Sequence, residues 1–97
     1  MDQTTLAATL TAAKLALRIT TTAFDSELTD LIEAAMIDLR QAGITNTDAT
    51  DKMIRRAIIT FCKLNFGQPD DYDRLKRSYD EQKAQLGMAS GYTTWEE

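Results

Sequence analysis

The sequence predicts an all-α fold, a small bundle of about four helices with a central third helix and an extended C-terminal tail. Three observations carry that expectation. Apolar residues recur at spacings of three and four in four separate segments, which is how one face of a helix reads in sequence. Three of the segments end at a glycine, namely Gly43, Gly67 and Gly87, and the last of these three begins at Pro69. The length, 97 residues, suits one domain and no more.

The first segment covers residues 4–17, where Leu6, Leu10, Ala13 and Leu17 share a face. Thr4, Thr5, Thr9 and Thr11 are poor helix formers, so this helix depends on contacts with the others. Arg18-Ile19 followed by Thr20-Thr21-Thr22 reads as a loop. The second helix is the clearest, with Phe24, Leu28, Leu31, Ile32, Ala35, Leu39 and Ala42 on one stripe. Its start has two candidates: a variant capping box of Thr22 with Asp25, or Asp25 itself as the cap. Glu27 and Asp30 place negative charge near the positive end of the helix dipole. Gly43 suits the left-handed position just past the last turn.

Ile44-Thr45-Asn46-Thr47-Asp48 reads as a polar connector. The third helix then covers residues 49–66 and carries Met53, Ile54, Ala57, Ile58, Ile59, Phe61, Cys62, Leu64 and Phe66. These cover more than one face, which makes it the central helix, with Gly67 as its stop. The fourth helix opens at Pro69, with Asp70 and Asp71 in its first turn. Tyr72, Leu75, Tyr79, Gln82 and Leu86 form a narrow seam that ends at Gly87. Asp70 with Arg74 and Asp73 with Arg77 are spaced as i,i+4 ion pairs on its exposed side. The domain therefore spans residues 1–87, and residues 88–97 form a tail in which Tyr92 and Trp95 have no helix to bury them.

A domain of this size buries only about two-thirds of the surface its unfolded chain exposes, so self-association is a ready source of further stability. Hydrophobic residues make up 43% and charged residues 27%, an ordinary globular composition. No run of about 18 apolar residues occurs, so no membrane partner is expected. The start Met1-Asp2-Gln3 lacks the basic and apolar stretches of a secretory leader, and synthesis inside the cell is the expectation.

Several chemistries lack their residues. There is no histidine, the commonest general base and catalytic metal ligand. Ser26, Ser78 and Ser90 lie in no nucleophile elbow, and no phosphate-binding glycine loop occurs. Asp70-Asp71-Tyr72-Asp73 lacks the glycine and distal glutamate of a calcium loop and reads as a charge-complemented helix start. The single cysteine, Cys62, cannot form an internal disulfide and fits a small buried hydrophobe. No enzyme activity, metal or cofactor is expected.

The remaining candidates are contacts with partners. Net charge is −4, from 11 basic and 15 acidic residues, which disfavours broad binding to nucleic acid. The stretch 48–67 nevertheless has four basic residues (Lys52, Arg55, Arg56, Lys63) against two acidic ones. This basic edge could meet phosphate, a partner's acidic surface, or the acidic second helix, where residues 25–47 hold five acidic residues and one basic. Tyr92 and Trp95 are of the types enriched at interface hot spots, and either dock on another chain or fold back on their own. Arg55, Arg56, Lys63, Tyr92 and Trp95 are thus the candidate partner or oligomer contacts.

The order of features also resembles a known family. Leu17-Arg18-Ile19, a Thr-rich loop, Phe24-Asp25-Ser26-Glu27-Leu28 and Gly43-Ile44 come first. Ile54-Arg55-Arg56-Ala57-Ile58-Ile59 and Phe61-Cys62-Lys63-Leu64-Asn65-Phe66-Gly67 follow, then Tyr72-Asp73-Arg74-Leu75, Ser78-Tyr79-Asp80 and the tail to Tyr92. From about Leu15 to Tyr92 this resembles the head–tail connector, or DNA-packaging adaptor, proteins of long-tailed phages and prophages. The resemblance implies a helical subunit, made in the bacterial cytoplasm, that assembles with copies of itself into a ring beneath the portal, commonly twelve-fold. Such a ring sits at the virion head–tail junction, lengthens the DNA channel and docks the stopper or tail-completion protein. DNA passes without sequence-specific binding, and no catalytic residues carry over. The competing readings are a small DNA-binding module with the Arg55-Arg56 helix as groove reader, and a cytoplasmic adaptor domain unrelated to phage.

Overall fold

A computed structural model describes residues 3–44 and 49–88. Four helices account for the described fold: α1 (Gln3–Leu17), α2 (Asp25–Gln41), α3 (Lys52–Asn65) and α4 (Tyr72–Met88). Among the described residues there is no strand. The protein is a small all-α bundle, as its periodicity predicts.

Helix α1 buries Thr9 and Ala13, with Leu6, Leu10 and Leu17 packed against the core from the same side. Its threonines are accommodated because their hydroxyls donate one turn back, Thr9 to the Thr5 carbonyl at 2.8 Å and Thr11 to the Ala7 carbonyl at 3.0 Å. The helix closes on Arg18, which takes the left-handed conformation at φ +59°. The Arg18 N–H donates to the Leu15 carbonyl and the Ile19 N–H to the Lys14 carbonyl, the paired closure usually built on glycine.

Helix α2 buries Leu28, Ile32, Ala35, Met36 and Leu39. Its start differs from both sequence expectations. Phe24 occupies the cap position and no side chain caps the helix. Instead Lys14 Nζ lies 2.8 Å from Asp25 Oδ1 in an ion pair. Asp25 thus ties α2 to the end of α1 instead of satisfying its own first turn. At the other end Gly43, at φ +91°, donates to the Arg40 carbonyl, and the Ile44 N–H donates to the Leu39 carbonyl at 3.0 Å. This closure brings Ile44 back onto the bundle, where it is fully buried together with Leu39. Ile44 is therefore core and not the first residue of a polar connector. Residues 45–48 lie outside the described residues.

Helix α3 begins at Lys52, three residues later than its apolar pattern predicts. Asp51 is the cap, its Oδ1 accepting from the N–H groups of Met53 (2.8 Å) and Ile54 (3.3 Å). Ile54, Ala57, Ile58, Cys62 and Leu64 are buried, and α3 packs against α1, α2 and α4, which makes it the central helix. It ends at Asn65, ahead of Gly67 at φ +68°.

Helix α4 starts at Tyr72, not Pro69. Pro69, Asp70 and Asp71 precede it, and the Asp71 carbonyl accepts the first helical bond, from Leu75 at 3.0 Å. The pairs that form on its surface are accordingly shifted. Arg74 meets Asp71 and Lys76 meets Asp80, while neither Asp70–Arg74 nor Asp73–Arg77 pairs among the described residues. Leu75, Tyr79 and Leu86 are buried and Gln82 is partly so, but Tyr72 is exposed. The helix continues through Gly87 to Met88.

Candidate partner-binding surface

A groove of about 480 Å³ lies between α3 and α4 and is lined also by the last residues of α1 and by Arg18. On α3, Arg56, Ile59, Thr60 and Lys63 recur at the i, i+3, i+4, i+7 spacing of a single face. On α4 the facing stripe is Arg74, Leu75, Ser78 and Gln82, and α1 contributes Leu17 and Arg18. Leu17, Ile59 and Leu75 make the groove partly apolar, while Arg18, Arg56, Lys63 and Arg74 give it four cations against one carboxylate, Asp71. That carboxylate is already engaged by Arg74. Among the described residues Arg18, Arg56 and Lys63 have no carboxylate within ion-pairing distance. The basic edge of α3 is therefore not paired internally with acidic α2. The Gln82 side-chain oxygen is buried without a hydrogen-bond partner among the described residues.

The structure separates two residues that adjoin in sequence. Arg56 lines the groove, whereas the Arg55 Nε donates to the Ala49 carbonyl at 3.2 Å and braces the entry to α3. Arg56 and Lys63 come together, joined by Arg18 and Arg74. Those two were missed in sequence because only tertiary packing brings α1 and α4 to this face of α3; the i, i+7 spacing of Arg56 and Lys63 was the one visible signal. Tyr92 and Trp95 lie outside the described residues.

On the other side of α4, Tyr79 donates to Asp38 Oδ2 at 2.6 Å and Lys83 donates to the same oxygen at 3.1 Å. Lys83 also sits 5.1 Å above the Tyr79 ring, and Phe61 meets that ring edge-on at 5.3 Å. Partial burial pushes the Asp38 carboxyl up, but the Tyr79 and Lys83 hydrogen bonds and the charges of Lys83 and Lys76 outweigh it and hold the group below its ordinary range. The Tyr79 hydroxyl is pushed well above its usual range by burial and by its bond to Asp38. This cluster fastens α4 to α2 across α3 and is fully occupied in doing so.

Cys62 is buried, and desolvation pushes its thiol up to about 12, away from the nucleophilic thiolate. Among the described residues no three Asp, Glu, Cys or His side chains gather as metal ligands. No described helix is long and apolar enough to cross a membrane. What the surface offers is the basic groove and several exposed apolar side chains: Leu15 at 76% exposure, Ile37 at 54%, Met53 at 45% and Met88 at 86%.

A family model described as phage connector protein matches residues 9–93. The chain belongs to the phage connector protein family. The match covers α1 from Thr9, all of α2, α3 and α4, and part of the tail. No curated protein and no solved structure matches the chain. Membership assigns this connector a phage structural role and sets aside an adaptor domain unrelated to phage.

Proposed function

We propose that this connector assembles into a ring, twelve-fold in the virion, beneath the portal of a tailed phage. The ring extends the DNA channel and docks the stopper or tail-completion protein at the head–tail junction, after synthesis in the host cytoplasm. The observation that carries this reading is the family match across residues 9–93. The chemistry of the chain supports it. A net charge of −4 suits a channel that DNA must traverse without sticking, since like charge repels phosphate. Helix α4 packs chiefly on α3, which leaves its charged outer face free for neighbours. The absence of histidine and the buried state of Cys62 fit a protein whose work is assembly and not catalysis.

In this reading the body comprises α1 to α4 and residues 89–97 order on assembly. Arg56, Lys63, Tyr92 and Trp95 then act at subunit or partner contacts, while Arg55 acts locally on Ala49. A groove-reading DNA module is disfavoured, because Arg55 is bonded to its own backbone and does not stand beside Arg56 on one polar face. Native mass measured across a concentration series at moderate salt, with and without purified portal, tests the proposal. A closed ring alone, or one formed on the portal, is the expected result. A monomer that also ignores the portal would overturn it.

A further inference from the structure

The groove between α3 and α4 can be compared with the charge pattern of the chain's own last residues. Residues 89–97 contain no basic residue and finish Tyr92-Thr93-Thr94-Trp95-Glu96-Glu97, an aromatic followed directly by two acids. The groove presents the complementary pattern, an apolar strip of Leu17, Ile59 and Leu75 beside Arg18, Arg56 and Lys63, which have no ion-pair partner among the described residues. We propose that this groove receives residues 92–97 of a second copy, with Trp95 on the apolar strip and Glu96 and Glu97 against the basic side chains.

Two further observations favour this occupant. Gln82 lines the groove, and its side-chain oxygen is a buried acceptor without a partner among the described residues; rotation of that amide would offer it to an indole N–H, a donor that seeks one. Arg18 occupies a left-handed position where glycine would be less strained, yet the residue there is an arginine that lines the groove. The proposed ring favours a second copy over the chain's own tail, which could also reach the Gln82 end of the groove, about 9 Å back along α4 from Met88 at the helical rise. One groove and one tail per subunit also make a head-to-tail contact, the kind that closes into a ring when its rotation allows.

This inference rests on the ring reading and can fail separately from it. The test measures native mass and Trp95 emission across a concentration series for the full chain; Trp95 is its single tryptophan. R56E/K63E and E96K/E97K are each expected to weaken self-association at least tenfold, and to keep Trp95 emission red-shifted at concentrations where the wild type shifts to the blue. The four changes combined are expected to restore both. If R56E/K63E loses helicity, R56Q/K63Q replaces it, with a smaller expected loss. Wild-type rings that persist unchanged in both charge reversals would overturn the tail-in-groove contact and leave the ring standing. A wild type that stays monomeric, or whose Trp95 emission is blue-shifted at every concentration, would also overturn it, and the ring would then be judged on portal binding. Duplex DNA binding that R56E/K63E abolishes, with self-association unchanged, would give the groove to phosphate instead.

Discussion

Arg18 shows how one residue can serve two ends at odds with each other. An L-residue in the left-handed region costs on the order of 1 kcal/mol relative to glycine, and Arg18 accepts that cost to close α1 beside the groove. Arg18→Gly is expected to raise stability by about 0.5–1 kcal/mol in chemical denaturation while weakening self-association, since it removes one groove cation. Tyr79 presents the opposite case, where contact and stability agree. Its hydroxyl bonds the ionised Asp38 carboxylate, so Tyr79→Phe is expected to cost about 1–2 kcal/mol, within the range for hydrogen bonds to charged groups and discounted for partial exposure. The sign of the pH effect follows from Asp38. Its folded pKa is lowered, so its contribution is present above the unfolded carboxylate value and is lost as pH falls through the folded one. Denaturation midpoints between about pH 5 and pH 2 should therefore fall less steeply in the Tyr79→Phe variant than in the wild type.

At the scale of elements, the helices were legible because each buries one periodic face, and their ends were less so because end signals compete. Before α4, Pro69 satisfies the first-turn preference while Asp71 suits the position just before the helix; the backbone places the boundary at Asp71, and the ion pairs move with it. Before α3, Ala49 is apolar and buried, so it reads as helical, yet Asp51 caps the helix two residues on. Asp51→Ala should destabilise the protein by about 1 kcal/mol, measured as a lower denaturant midpoint at unchanged slope. Ile44 was misread because its burial depends on the closure at Gly43, a three-dimensional feature with no periodicity. The groove was hidden for the same reason. Sequence showed Arg56 and Lys63 on one helix, but Arg18 and Arg74 join them only when α1 and α4 pack on the same side of α3.

For the whole molecule, the burial that the four helices achieve among themselves decides what can be removed. Among the described residues one buried cluster, from Ala13 to Leu86, joins all four helices. That cluster is expected to hold the fold by itself. Removing residues 89–97 should leave the helical circular dichroism signal and the denaturant midpoint within experimental error of the full chain. The same truncation should reduce ring formation, alone or on a portal, because it deletes Trp95 and both terminal-segment acids while leaving the basic groove empty. Adding salt separates this loss from a merely structural one. Contacts between Glu96, Glu97 and exposed cations are screened as the Debye length shrinks from about 10 Å at 0.1 M to about 3 Å at 1 M, so assembly of the full chain should weaken with salt toward the level of the truncated chain. Assembly that is equally strong in both chains at every salt concentration would place the subunit contacts on the apolar side chains of the body, Leu15, Ile37 and Met53, and not on the tail.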